Sequence, residues 1–160
     1  MKILKSIAVL AVCGSVAVSC GNGAGSKTAS PAPVFDGDET TSTEHFLSDI
    51  DELAAGYLTA ARDETEITLV QDNTSEDGVH TIYALPCKKV CSAMIGVAEK
   101  DGIILEASFV RGCPGNSIGI GKLVKGMSVD DAISRLEGID CSERGTSCPD
   151  QLAKVLRLLQ

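Results

Sequence analysis

The sequence predicts an α+β fold: an antiparallel sheet of about four strands followed by three helices, with one amphipathic helix ahead of the sheet. Three observations predict it. Short segments rich in β-branched residues fall into two pairs between residues 66 and 110, each pair joined by turn-forming residues. The helical signals of this body all follow residue 112. Strands that come first and helices that follow build segregated layers, not alternating βαβ units.

The first nineteen residues read as an export signal. Lys2 and Lys5 supply a short positive region, and an apolar stretch runs from Ile7 to about Val18. It is shorter than the roughly 20 apolar residues a membrane-spanning helix needs, and it has the charge-then-apolar layout of a secretory leader. The stretch ends at Ala17-Val18-Ser19-Cys20-Gly21 and resembles a lipoprotein signal. Cys20 is expected to become the first mature residue and to carry lipid, with Ala17 standing where such signals more often have Leu. Cys13, behind the bulky Val12, is the poorer site. The alternative is a plain cleaved leader in which Cys20 is incidental. The expected location is the bacterial cell envelope, exported and attached to the membrane through the N-terminal lipid.

Residues 20–43 read as a flexible tether, rich in Gly, Ser, Thr, Ala and Pro, with Val34 and Phe35 almost the only core-forming side chains. Across 44–63 the pattern changes. Phe46, Leu47, Ile50, Leu53, Ala54, Tyr57 and Leu58 recur at helical spacing with acids between them. This amphipathic helix is expected to pack on the main body, residues 64–160.

In that body, Glu66 to Gln71 and Val79 to Leu85 flank the turn-rich Asn73-Thr74-Ser75-Glu76-Asp77-Gly78 and read as one hairpin. Ala93 to Glu99 and Ile103 to Val110 read as a second, closed at Asp101-Gly102. A helix follows over Ser117 to Lys125. Ser128 with Asp131 then forms a capping box for the next, which Gly138 ends. The last helix starts at Pro149, and Leu152, Val155, Leu156 and Leu159 make its core stripe.

Composition narrows the function. The 160 residues are 44% hydrophobic and 3% aromatic, with a formal net charge of -8 and no basic run. That balance excludes non-specific nucleic-acid binding, which needs Lys and Arg to neutralise phosphates. It names no protein partner.

The chemistry lies in the cysteines. Beyond Cys13 and Cys20 there are five: Cys87, Cys91, Cys113, Cys141 and Cys148. Cys113 and Cys148 each precede a proline, which favours the first position of a helix. Each is therefore expected at a helix N-cap, where the partial positive charge favours thiolate over thiol. Cys87 and Cys91 have three residues between them, within zinc-like spacing. They also form a possible redox pair, with one residue more than the common exchanging motif. Metal ligation, disulfides or thiol exchange, and inert buried thiols all stay open on spacing alone. His45 and His80 read as surface residues. The glycine-rich run Gly112 to Gly121 opens a helix, as phosphate-binding loops do, but lacks their Lys-Ser/Thr ending. Close packing of helix on sheet is the expected reason for its glycines.

Several stretches together carry a resemblance. They are Gly112-Cys113-Pro114-Gly115-Asn116, Leu123-Val124-Lys125-Gly126-Met127, Leu136-Glu137-Gly138-Ile139-Asp140-Cys141 and Thr146-Ser147-Cys148-Pro149-Asp150-Gln151-Leu152-Ala153. With Cys91-Ser92, they resemble the TSCPD domain family over about Ile82 to Leu159. The resemblance implies a metal site of four cysteines, Cys91, Cys113, Cys141 and Cys148, holding Zn or an Fe–S cluster. The family occurs as small stand-alone proteins and at the C-terminal end of cobalamin-dependent ribonucleotide reductases, so it also implies a link to nucleotide binding and reduction. Cys87 is extra to the four. A body this small has no room for a reductase barrel, a radical generator and a substrate pocket, so ribonucleotide reduction is not expected of this chain alone. Gly112 to Val129 also bears a short likeness to iron–sulfur scaffold proteins, which keeps a cluster beside zinc.

Overall fold

The computed structural model describes residues 40–160, with side chains from His45 onward. The expected leader 1–19, the expected lipid-attachment residue Cys20 and the expected tether as far as residue 39 lie outside the described residues.

Four strands form one antiparallel meander in the order β1-β2-β3-β4. They are β1 (Thr68–Thr74), β2 (His80–Leu85), β3 (Ser92–Lys100) and β4 (Ile103–Arg111). The turn between β3 and β4 is the expected Asp-Gly loop. Asp101 at φ 52° and Gly102 at φ 77° are both left-handed, the conformation that matches the twist of a two-residue hairpin.

Side chains alternate across the sheet, and both faces are covered. Ile82 and Ala84 of β2, Ile95 and Val97 of β3, and Ile104 and Ala107 of β4 pack into a cluster with the helices that follow. Tyr83, Leu85, Met94, Ala98 and Leu105 point the other way, into a second cluster with the helix that precedes them. This explains why β2 and β3 read as almost continuous apolar runs.

The preceding helix, α1 (Thr40–Tyr57), buries Phe46, Ile50 and Ala54, four residues apart, against that second face. The rings of Phe46 and Tyr83 stack with centroids 5.5 Å apart. Burial, with Asp49 nearby, pushes the Tyr83 phenol up to about 12. Gly96 makes the close approach possible: a Cβ there would lie 2.8 Å from Ile50 Cδ1 and 2.9 Å from Tyr83 Cδ1. The helix begins four residues before the expected start at Glu44 and ends at Tyr57 instead of near Arg62. Its early end has a local cause. The Ala60 N–H closes a turn on the Tyr57 carbonyl at 3.0 Å. Asp63 Oδ1 then accepts the N–H groups of Thr65 and Glu66 at 2.8 and 2.9 Å, and such side-chain turns compete with helix.

On the opposite face lie α2 (Pro114–Val124), α3 (Val129–Leu136) and α4 (Cys148–Leu156), followed by a 3-10 turn, Arg157–Leu159. Their buried residues, among them Ile120, Val124, Ala132, Ile133, Leu152, Val155 and Leu156, complete the main core. α2 presses on β4 so closely that a Cβ on Gly121 would sit 2.3 Å from the Ala107 carbonyl oxygen. Close packing is therefore why Gly121 is glycine, whereas a Cβ on Gly115 or Gly119 of the same run would meet nothing within 4 Å, so packing does not account for those two. α3 has the expected cap, with Ser128 Oγ accepting the Asp131 N–H at 3.1 Å.

Candidate functional site

The three helices and the turn before β3 bring their ends together at one end of the sheet. Cys113 is the N-cap of α2, with Pro114 at the first helical position. It follows Arg111 at φ 62° and Gly112 at φ 98°, two left-handed residues that swing the chain out of β4. Cys148 departs from expectation by one residue. Ser147 is the N-cap of α4, accepting the Asp150 N–H at 3.2 Å, and Cys148 is the first helical residue. A hydroxyl caps a helix by accepting that N–H better than a thiol can, so Ser147 takes the position.

Cys91, Cys113, Cys141 and Cys148 line a single cavity of about 230 Å³. Cys91, Cys113 and Cys141 are exposed and Cys148 is half-buried. Cys87 does not line the cavity; it is fully buried. The two members of the expected redox pair thus stand in opposite environments. All five thiols of the described residues are free.

Buried polar groups in the last motif hold three of the cysteine-bearing segments together. Gln151 Oε1 accepts the Cys87 N–H at 2.9 Å, which anchors the turn leading to Cys91. Its Nε2 donates to Thr146 Oγ1 at 3.0 Å. The Thr146 carbonyl accepts the Cys141 N–H at 3.1 Å, and the Thr146 N–H donates to Asp140 Oδ1 at 3.1 Å. Ser147 Oγ donates to the Ile139 carbonyl at 2.6 Å. Asp150 accepts the Thr146 hydroxyl at 2.7 Å and the Gly138 N–H at 2.8 Å, and pairs with Lys154 at 3.0 Å. Burial raises the Asp150 carboxyl pKa, but the Thr146, Gly138 and Lys154 contacts outweigh it and hold the group below its usual range. Buried polar groups satisfied in this way rigidify the segments they join.

Two further side chains reach the sulfurs. Ser92 Oγ donates to Cys148 Sγ at 3.4 Å. Arg144 Nη1 donates to Cys91 Sγ at 3.6 Å and to the Lys89 carbonyl at 3.2 Å. The Cys91 contact, then the charges of Cys91, Cys141 and Cys148, raise the Arg144 guanidinium above its usual value. Gln151, Ser92 and Arg144 carry no sequence signal of these roles, because each acts on a residue distant in the chain.

Four thiols around one cavity are a donor set that suits Zn or an Fe–S cluster. As they stand, no group of three or more His, Cys, Asp or Glu among the described residues is arranged to hold an ion. Cys113 and Cys148 sit on helix ends, whereas Cys91 and Cys141 sit in turns. His45 is largely exposed, and His80 is half-buried between Asp72 at 2.7 Å and Glu99 at 3.6 Å, so neither serves the cavity.

The family model described as the TSCPD domain matches residues 66–160, more than half of the chain. No curated protein and no solved structure matches. The matched region holds the whole sheet, α2 to α4 and all four cavity cysteines, and leaves α1 outside it.

Proposed function

The chain belongs to the TSCPD domain family, and from that premise we propose that it is a four-cysteine metal-binding domain tethered to the bacterial cell envelope. The ligands are Cys91, Cys113, Cys141 and Cys148, and the group they hold is Zn or an Fe–S cluster. One observation carries the reading: these four cysteines, from four separate segments, line one cavity, while Cys87 stays out of it. Loading the site requires the four thiols to draw together around the ion, since they are not arranged to hold one as they stand. Bound zinc would cross-link the segments, and a cluster would supply one-electron transfer. The proposal assigns the chain a binding role and no reaction of its own. Cys20 carries the lipid.

Metal analysis of protein purified without oxidation tests it. The expected result is about one equivalent of zinc, or about two to four of iron with matching acid-labile sulfide, since metal binding and folding of such sites are coupled. Under about half an equivalent, with the four Cys→Ser variants still folded, would overturn it. For the anchor, Cys20→Ser should move the protein from the membrane fraction to the soluble one; unchanged membrane association would remove the lipid from the account.

A second reading is thiol–disulfide exchange, favoured by the exposure of Cys91, Cys113 and Cys141 in one cavity. There two thiols would give up two electrons and two protons to a disulfide substrate, forming one bridge and releasing the substrate as two thiols. Mass spectrometry after alkylation separates the readings: a bridge between two cavity cysteines that forms and opens with the thiol buffer supports exchange.

A further inference from the structure

Arg144 follows Cys141 by three residues and meets Cys91 from the other side of the cavity. One nitrogen, Nη1, reaches both the Cys91 sulfur at 3.6 Å and the Lys89 carbonyl at 3.2 Å. The chain from Cys141 to Arg144 is bent to allow this, with Ser142 at φ 57° and Glu143 at φ 59°, both left-handed and neither glycine. Such backbone costs about 1–3 kcal/mol per residue and persists where its surroundings impose it. Among the residues lining the cavity, the Lys, Arg, Asp and Glu side chains are Lys89, Asp140 and Arg144. Asp140 Oδ1 is engaged by the Thr146 N–H.

Charge balance says what such a group is for. Four thiolates around one divalent ion carry two net negative charges, and a partly enclosed site must offset them. A donor held on a ligand sulfur also fixes the orientation of that ligand. We infer that Arg144 is a positioning and charge-balancing residue of the four-thiolate centre, orienting Cys91 and offsetting the excess negative charge when the site is loaded. The inference rests on the metal reading above.

Zinc titration against a chromophoric chelator tests it on the full-length protein, with two variants. Arg144→Gln keeps a hydrogen-bond donor and loses the charge, whereas Arg144→Lys keeps the charge. Arg144→Gln should bind zinc roughly tenfold or more weakly than wild type, in the range for residues that support metal ligands. Arg144→Lys should lose clearly less. The gap between the two variants should narrow at high salt, because a charge effect at an open cavity is screened. Both metal-free variants should melt with wild type, since Arg144 is exposed. The inference is overturned if Arg144→Gln binds zinc within about twofold of wild type, well short of the usual range. It is also overturned if both variants lose affinity equally at every salt concentration, which marks a tether to Lys89 and nothing more. Wild type that takes up no zinc, iron or sulfide overturns the metal reading instead.

Discussion

Gln151 accepts the backbone N–H of Cys87 through its side-chain oxygen at 2.9 Å, joining residues 64 positions apart inside the protein. Neither residue touches the cavity, yet the bond connects the turn that presents Cys91 with the helix that begins at Cys148.

Replacing that amide should be expensive. Gln151 is fully buried, and Gln151→Leu leaves the Cys87 N–H without a partner and takes a donor from Thr146. A buried donor left unsatisfied costs about 1–3 kcal/mol, so the variant should lose about 2 kcal/mol or more in urea unfolding. A loss under about 0.5 kcal/mol would mean that water takes the place of the amide.

Asp150 should make stability depend on acid. Its folded pKa lies below the usual carboxylate value, so the folded state binds this proton more weakly than the unfolded chain. The contribution is therefore complete above the unfolded pKa and is lost as pH falls through the folded one. The stability gap between wild type and Asp150→Asn should be constant above about pH 5 and close progressively below about pH 4. A gap unchanged down to about pH 2 would refute the carboxylate's role.

Two glycines of α2 should respond with opposite signs. Gly121→Ala places a methyl 2.3 Å from the Ala107 carbonyl oxygen, which is backbone and cannot turn aside. It should destabilise by about 1–3 kcal/mol or more, as overpacking does. Gly119→Ala meets nothing within 4 Å and should stabilise by about 0.5–1 kcal/mol through helix propensity. Thermal melts of the two variants read the signs directly.

The helix outside the family match should prove integral to the body. Ile50 is 1% exposed and packs on the sheet, whereas Leu47 is 43% exposed. Ile50→Ala should cost about 2–4 kcal/mol, and Leu47→Ala under about 1 kcal/mol. Equal effects in denaturant titration would mean that α1 does not cover the sheet in solution.

The cysteines should divide four to one. Cys87→Ala should cost about 1 kcal/mol of stability by leaving a small buried void, while metal content stays at the wild-type level. Each of Cys91→Ser, Cys113→Ser, Cys141→Ser and Cys148→Ser should lower it. Elemental analysis of the five variants decides, and metal loss in Cys87→Ala would bring that residue back into the site.

Much of the architecture was legible because local chemistry and hydrophobic period agree there. Asp101-Gly102 favours the left-handed pair that a tight hairpin needs, and Ser128 with Asp131 caps α3 as its spacing implies. The cap of α4 was misread for a local reason. Cys148 before Pro149 looks like the last non-helical residue, but Ser147 offers the better acceptor and moves the helix start back by one. The end of α1 was missed because apolar spacing continues through Leu58, while the Asp63 turn that breaks the helix leaves no periodic trace.

The sequence by itself determined the order of strands and helices and the four-cysteine pattern. These follow from short-range propensity, period and motif, which act within a few residues along the chain. Only the tertiary structure decided that Cys91, Cys113, Cys141 and Cys148 share a cavity and that Cys87 is buried apart from it. It also decided that Gln151 and Arg144 reach across to the turns of Cys87 and Cys91. Burial and hydrogen bonding between distant segments depend on how the sheet and helices pack, and spacing along the chain carries no record of that packing.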